Sequence, residues 1–265
     1  MPMTNREIRE TALRQSAWDC HCQPEDFLRE ENVVTLSEPH PQARRYLPLP
    51  LECDLVSYGG NIVAQVSGRT AEAVRAYIGM FPAYGCFETP GVHRLDALLA
   101  PFDLKVCFMA LYYLPDVTRL EAQTCGCTLR ILPGDALDGL YQPEWSHCLT
   151  FDEPARDVLA VGAYDGEKLV GLAGCSADCE EMWQIGVDVL PTYRRKGIGA
   201  AVTSRLALEI LAAGKVPFYC AAWSNIRSAG NAIRCGFRPA WAELTARPAG
   251  FVEEMLRQGH AEASD

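Results

Sequence analysis

The chain has 265 residues, 49% hydrophobic and 22% charged, with a formal net charge of -10. That balance is globular and excludes an intrinsically disordered chain. The acidic surplus argues against a broad nucleic-acid surface or an anionic-membrane surface, both of which need a basic field.

The opening residues are polar and carry no secretory pattern, and no apolar run is long enough to span a bilayer. A cytoplasmic protein is expected. The twelve cysteines then read as reduced thiols, mostly small buried hydrophobes. Three groupings stand out, Cys20-His21-Cys22, Cys125-Gly126-Cys127 and Cys175 with Cys179. None has the spacing of a zinc finger, and no metal is expected.

In chain order, Thr4 and Glu7 form a capping box for a first helix that turns Ile8, Ala12 and Leu13 inward. A short helix follows at 24–28, with proline in its first turn. Residues 46–52, YLPLPLE, are extended. Runs 53–58 and 61–66 flank Gly59-Gly60 as a hairpin. Residues 70–78 and 93–99 are helical, and 104–114 is a buried strand stopped by Pro115. PDVTRLEAQTCG, 115–126, is the best linker, which divides the chain into an N-terminal α/β domain, 1–122, and a second domain, 123–265.

The second part is more regular. Strand 128–132 and a short helical piece at 134–140 precede a hairpin, 158–164 and 168–176, around Asp165-Gly166. Strand 182–189 leads to a helix over 197–213, where Ile198, Val202, Leu206 and Ile210 recur every four residues. Gly214 and Pro217 stop it. Strand 218–222, helix 225–235 and strand 237–244 complete the pattern.

PTYRRKGIGA, 191–200, is the chemically informative stretch. It joins a strand to a helix whose first N–H groups lack intrahelical partners and carry the positive dipole end. Gly197 and Gly199 remove the Cβ atoms that would hold an anion away, and Arg194, Arg195 and Lys196 add charge. A diphosphate fits such a nest. The P-loop pattern is absent, as is the third glycine of a dinucleotide fingerprint. The match is to R-x-x-G-x-G/A through Arg194, Gly197 and Gly199. SNIRSAGNAIRCGF, 224–237, adds N-x-x-[AS]…GF through Asn225, Ser228, Gly236 and Phe237.

With both motifs in order, residues 123–265 resemble the GNAT superfamily of N-acetyltransferases. The resemblance implies an α/β fold: a GNAT acyl-CoA N-acyltransferase core, its mixed and mostly antiparallel sheet flanked by helices, preceded by a smaller α/β N-terminal domain. It implies acetyl-CoA as co-substrate and a small-molecule or peptide amine as acceptor. The main chain of Val187, Asp188 and Val189 would face the cofactor, with Gly186 leaving room for the acyl group. Arg194, Arg195, Lys196, Gly197, Ile198, Gly199 and Ala200 would hold the diphosphate, assisted by Asn225 and Ser228. No nucleic acid or membrane partner is expected, and a homodimer is compatible with the pattern.

The family's usual proton donor, a Tyr seven positions after the Asn, is replaced here by Ala232. A Glu base five positions before the Asn is replaced by Cys220. The remaining candidates each have a structural alternative. Glu181 is a base or a solvated carboxylate; Tyr219 and Tyr193 are acids or packing residues; Cys220 is an acid, an acylation site or an inert thiol. Trp183 packs in the core or lines the acceptor pocket. The missing Tyr motivates an alternative function, a catalytically silent acyl-CoA-binding sensor module.

Overall fold

The computed structural model describes residues 3–262. The chain forms two compact units, each assembled from separate segments. Unit 1 comprises residues 1–12, 44–46 and 112–240, and unit 2 comprises 13–43, 47–111 and 241–265. Each therefore draws on both sides of residue 122.

In unit 2, strands β1 (Val33–Leu36), β2 (Cys53–Ser57) and β3 (Val63–Val66) form a small mixed sheet. β1 runs parallel to β3, and β2 pairs with β3 as the expected hairpin. Helices α2 (Ala71–Ile78) and α3 (Thr89–Leu99) follow. Leu55, Ala64, Val74, Tyr77, Leu95 and Leu99 are buried together. β1 carries no alternating pattern, since three of its four residues are half-buried, and the sequence alone missed it. α3 starts four residues earlier than expected because Pro90 occupies a permitted first-turn position.

Helix α1 (Asn5–Asp19) begins on the expected box: the Thr4 N–H donates to Glu7 Oε2 at 2.7 Å, and the Glu7 N–H to Thr4 Oγ1 at 3.2 Å. The long strand β4 is Leu104–Pro115. Within unit 1, residues 116–127 are not a free linker. The Asp116 carboxylate accepts from Asn5 Nδ2 (2.7 Å) and Thr118 Oγ1 (2.7 Å), and the Gln123 N–H donates to Ser204 Oγ (2.9 Å).

Unit 1 holds β5 (Thr128–Pro133), β6 (Asp157–Asp165), β7 (Lys168–Ser176), β8 (Met182–Val189) and β9 (Val216–Ala222). In space they run β9-β8-β7-β6-β5. All these neighbours pair antiparallel except β8 with β9, giving the expected mixed, mostly antiparallel sheet. Helices α4 (Ile198–Ala212) and α5 (Ile226–Arg234) flank it. Gly214, at φ +74°, ends α4 as expected, but Pro217 is not part of the stop. It lies inside β9 opposite Trp183, near the strand's start. The last strand, β10, runs Phe237–Pro248, beyond the expected residue 244, and α6 (Ala249–Glu262) was not foreseen.

Candidate functional site

The site begins with a difference in strand pairing. β7 pairs with β8 from Gln184 to Val189, whereas β9 pairs with β8 only from Met182 to Ile185, ending at Ile185 opposite Tyr219. Gly186–Val189 therefore have a neighbouring strand on one side alone. Backbone N–H and C=O groups there need partners from elsewhere. A cavity of about 1060 Å³ opens at this point, with Gly186–Val189 on one wall and Cys220–Ala222 on the other. Val187, Asp188 and Val189 thus border it.

The loop after β8 closes one end. Arg194 Nε donates to the Val189 carbonyl at 3.0 Å, which fixes the loop on the strand end. Arg195 (φ +64°) and Gly197 (φ +79°) both adopt the left-handed conformation. The chain then enters α4 with the N–H groups of Ile198, Gly199 and Ala200 preceding the first helical bond, Ala201 N–H to Gly197 O (3.0 Å). These residues line the cavity together with Arg195. Lys196 is not among the lining residues; its Nζ lies 4.7 Å from the Tyr193 ring centroid.

α4 reaches this position because Gly171 on β7 has no Cβ, which would collide with Ile198 Cγ2. Asn231 Nδ2 donates to Thr203 Oγ1 at 3.0 Å and ties α5 to α4. Asn225 caps α5 by accepting from the Ser228 N–H at 3.1 Å. Both residues line the cavity, as do Arg227 and Arg234, so the α4–α5 end is strongly basic.

The catalytic candidates separate. Tyr219, 2% exposed, lines the cavity with its hydroxyl 2.9 Å from Ser228 Oγ. Burial raises its pKa, so the phenol keeps its proton at neutral pH. Cys220 is half-buried on the cavity wall. Glu181 is displaced. Its carbonyl accepts the Val216 N–H (2.8 Å), where β8 and β9 are still paired, four residues before they diverge. It is not among the cavity-lining residues. Tyr193 reaches the rim but donates its hydroxyl to Asp165 Oδ2 at 2.9 Å. Trp183 lies in the paired half of β8, opposite Pro217, and does not line the cavity. Ala232 is fully buried and is not among the cavity-lining residues. The phenol at the cleft comes instead from β9.

One participant escaped sequence reasoning. On an antiparallel pair, opposed residues share a face and alternate residues change face. Gly171 and Val189 face α4, so Leu172 with Asp188 and Gly174 with Gly186 share the other face. A Cβ on Gly186 would strike the His147 carbonyl, and one on Gly174 the Cys148 carbonyl. The room expected over Gly186 for an acyl group is thus occupied by the chain itself. This approach lets the His147 N–H donate to Asp188 Oδ2 at 2.9 Å and sets His147 Nδ1 3.1 Å from Asp188 Oδ1. Trp145, Cys148 and Leu149 pack with Leu172 beneath it. Asp157 accepts from the Thr150 N–H (2.7 Å) and the Tyr141 hydroxyl (3.0 Å). His147 lines the cavity. The facing glycines were the only signal, legible once the strand register is known.

All twelve cysteines are thiols rather than disulfides, seven of them buried. Among the described residues, no three His, Cys, Asp or Glu side chains are placed to hold a metal ion. No helix among them is long and apolar enough to cross a membrane.

Residues 128–237 match the family model described as the acetyltransferase (GNAT) family. No curated protein shows significant similarity to the chain. Among solved structures, a GNAT-family acetyltransferase from Colwellia psychrerythraea is 16% identical with a TM-score of 0.42, covering 54% of this chain and 57% of its own. A GCN5-related N-acetyltransferase from Kribbella flavida is 17% identical with a TM-score of 0.43, covering 57% and 62%. The chain thus spans less than two thirds of either structure. An aminoglycoside N-acetyltransferase in complex with CoA is 17% identical with a TM-score of 0.35, covering 46% of this chain and 93% of its own.

Proposed function

We propose, from the match of residues 128–237 to the GNAT acetyltransferase family model, that the protein is an acetyl-CoA-dependent N-acetyltransferase acting on a primary amine of a small molecule or peptide. The observation that carries the reading is the opening between β8 and β9, which ends at the unpaired amides of α4. Those amides and the arginines at 195, 227 and 234 suit the phosphates of the co-substrate. The one-sided edge of Gly186–Val189 suits its amide-bearing arm, which would supply the missing backbone partners.

Transfer is direct: the amine attacks the thioester carbonyl, the C–N bond forms and the C–S bond breaks. The sulfur departs with the electron pair and takes up a proton. Tyr219, buried and kept protonated, suits that donation. Its presence favours turnover over the sensor function suggested by Ala232.

Isothermal titration with acetyl-CoA, followed by thiol release across a panel of aliphatic amines and peptide N-termini, tests the reading. Binding with release is expected. No binding at millimolar co-substrate removes the proposal, and binding without release on every acceptor makes the protein a sensor.

A further inference from the structure

We propose that His147 is the general base of this site and that Asp188 is its positioning residue. The inference rests on the acetyltransferase reading and identifies which groups take the acceptor's proton. A protonated amine has no lone pair to attack with, so one proton must leave before the C–N bond forms.

Asp188 binds His147 twice, through the main-chain N–H at 2.9 Å and through ring Nδ1 at 3.1 Å. An ionised carboxylate only accepts hydrogen bonds, so Nδ1 carries the hydrogen in this pair. The neutral ring then presents its lone pair at Nε2. The His147 side chain is 83% exposed and Asp188 only 14%, so the carboxylate is fixed in the strand while the ring reaches solvent. A base that must shed its proton each turnover requires such access.

Location supports the role. His147 and Asp188 lie on the sheet face opposite α4, whose N-terminus forms the anion-binding end of the same cavity. An amine entering beside His147 reaches the cleft between β8 and β9 from the side away from the phosphates. The cavity's other titratable or charged groups are Tyr219, Cys220 and Tyr193 and the arginines 194, 195, 227 and 234. No carboxylate but Asp188 lines it. In the step, Nε2 takes one proton from the ammonium and later releases it to water. The amine's second proton balances the one taken up by the departing thiolate. The sum is ammonium plus thioester giving amide, thiol and one proton.

The test uses the full-length protein. His147→Ala keeps the main-chain N–H that Asp188 also binds, so the segment retains an anchor. It is expected to lower kcat about 100-fold or more, with the acetyl-CoA Kd unchanged, and added imidazole should restore activity in a concentration-dependent way. Asp188→Asn should lower kcat less. Independently of turnover, 15N ring shifts of neutral His147 should report the Nδ1–H tautomer in wild type and a shift toward Nε2–H in Asp188→Ala. An unchanged kcat in His147→Ala, no rescue by imidazole, or an Nε2–H ring in wild type overturns this inference alone. Wild type that binds no acetyl-CoA removes the acetyltransferase reading and this inference with it.

Discussion

Gly174 and Gly186 stand opposite each other on β7 and β8, and the space above them holds the Cys148 and His147 carbonyls. Two residues without side chains thus let a loop lie directly on the sheet and deliver an imidazole to Asp188. Gly186→Ala should push residues 147–149 outward, with an overpacking cost of about 1–3 kcal/mol. Urea denaturation should show the loss, and kcat should fall with it. Gly139→Ala, where a Cβ meets nothing within 4 Å, should leave both unchanged.

Gly197 adopts φ +79°, with the nearest obstacle to a Cβ, the Thr124 carbonyl, at 3.5 Å. Gly197→Ala therefore costs backbone strain of about 1–2 kcal/mol but leaves the anion end open. Gly197→Glu adds a carboxylate beside the phosphates. Calorimetric titration should show acetyl-CoA binding retained in the alanine variant and abolished in the glutamate variant. Equal affinity in both would remove the diphosphate from this loop.

Tyr219→Phe deletes the hydroxyl that sits 2.9 Å from Ser228 Oγ while keeping the ring packed. If the phenol protonates the departing sulfur, kcat should fall at least about 10-fold with the acetyl-CoA Kd little changed. Steady-state kinetics alongside direct binding measures both. A Kd that rises in step with the loss of kcat would assign the hydroxyl to binding.

Hydrogen bonds from Asn5 and Thr118, aided by Arg238, hold the Asp116 carboxyl down at about 2. A pKa below its unfolded value means the unfolded chain binds the proton more readily. The carboxylate's stabilisation is therefore full above about pH 4 and is lost as pH falls through 2. Thermal unfolding should show Asp116→Asn less stable than wild type at pH 5, with the difference closing toward pH 2. A constant difference across that range would contradict the assignment.

The chemistry legible along the chain was local. The glycines of PTYRRKGIGA, the Asn225 cap and the four-residue apolar step of α4 each act within one turn of themselves, so neighbouring residue types carry the information. The Thr4–Glu7 box and the 168–176 hairpin strand were readable for the same reason. Residue roles across the cleft were not. Glu181 and Asp188 lie seven positions apart on one strand region, yet only the point where β9 leaves β8 separates paired backbone from open cleft.

By itself, then, the sequence pointed to a glycine- and arginine-rich strand–helix junction, a mixed sheet around it and a resemblance that the GNAT family model matches over residues 128–237. Only the tertiary structure placed Glu181 and Lys196 off the cavity wall, set Tyr219 on it and brought His147 to Asp188 across 41 positions of chain. Such long-range contacts depend on strand register and on which side chains are absent where two segments touch, and neither is written in the residues that meet.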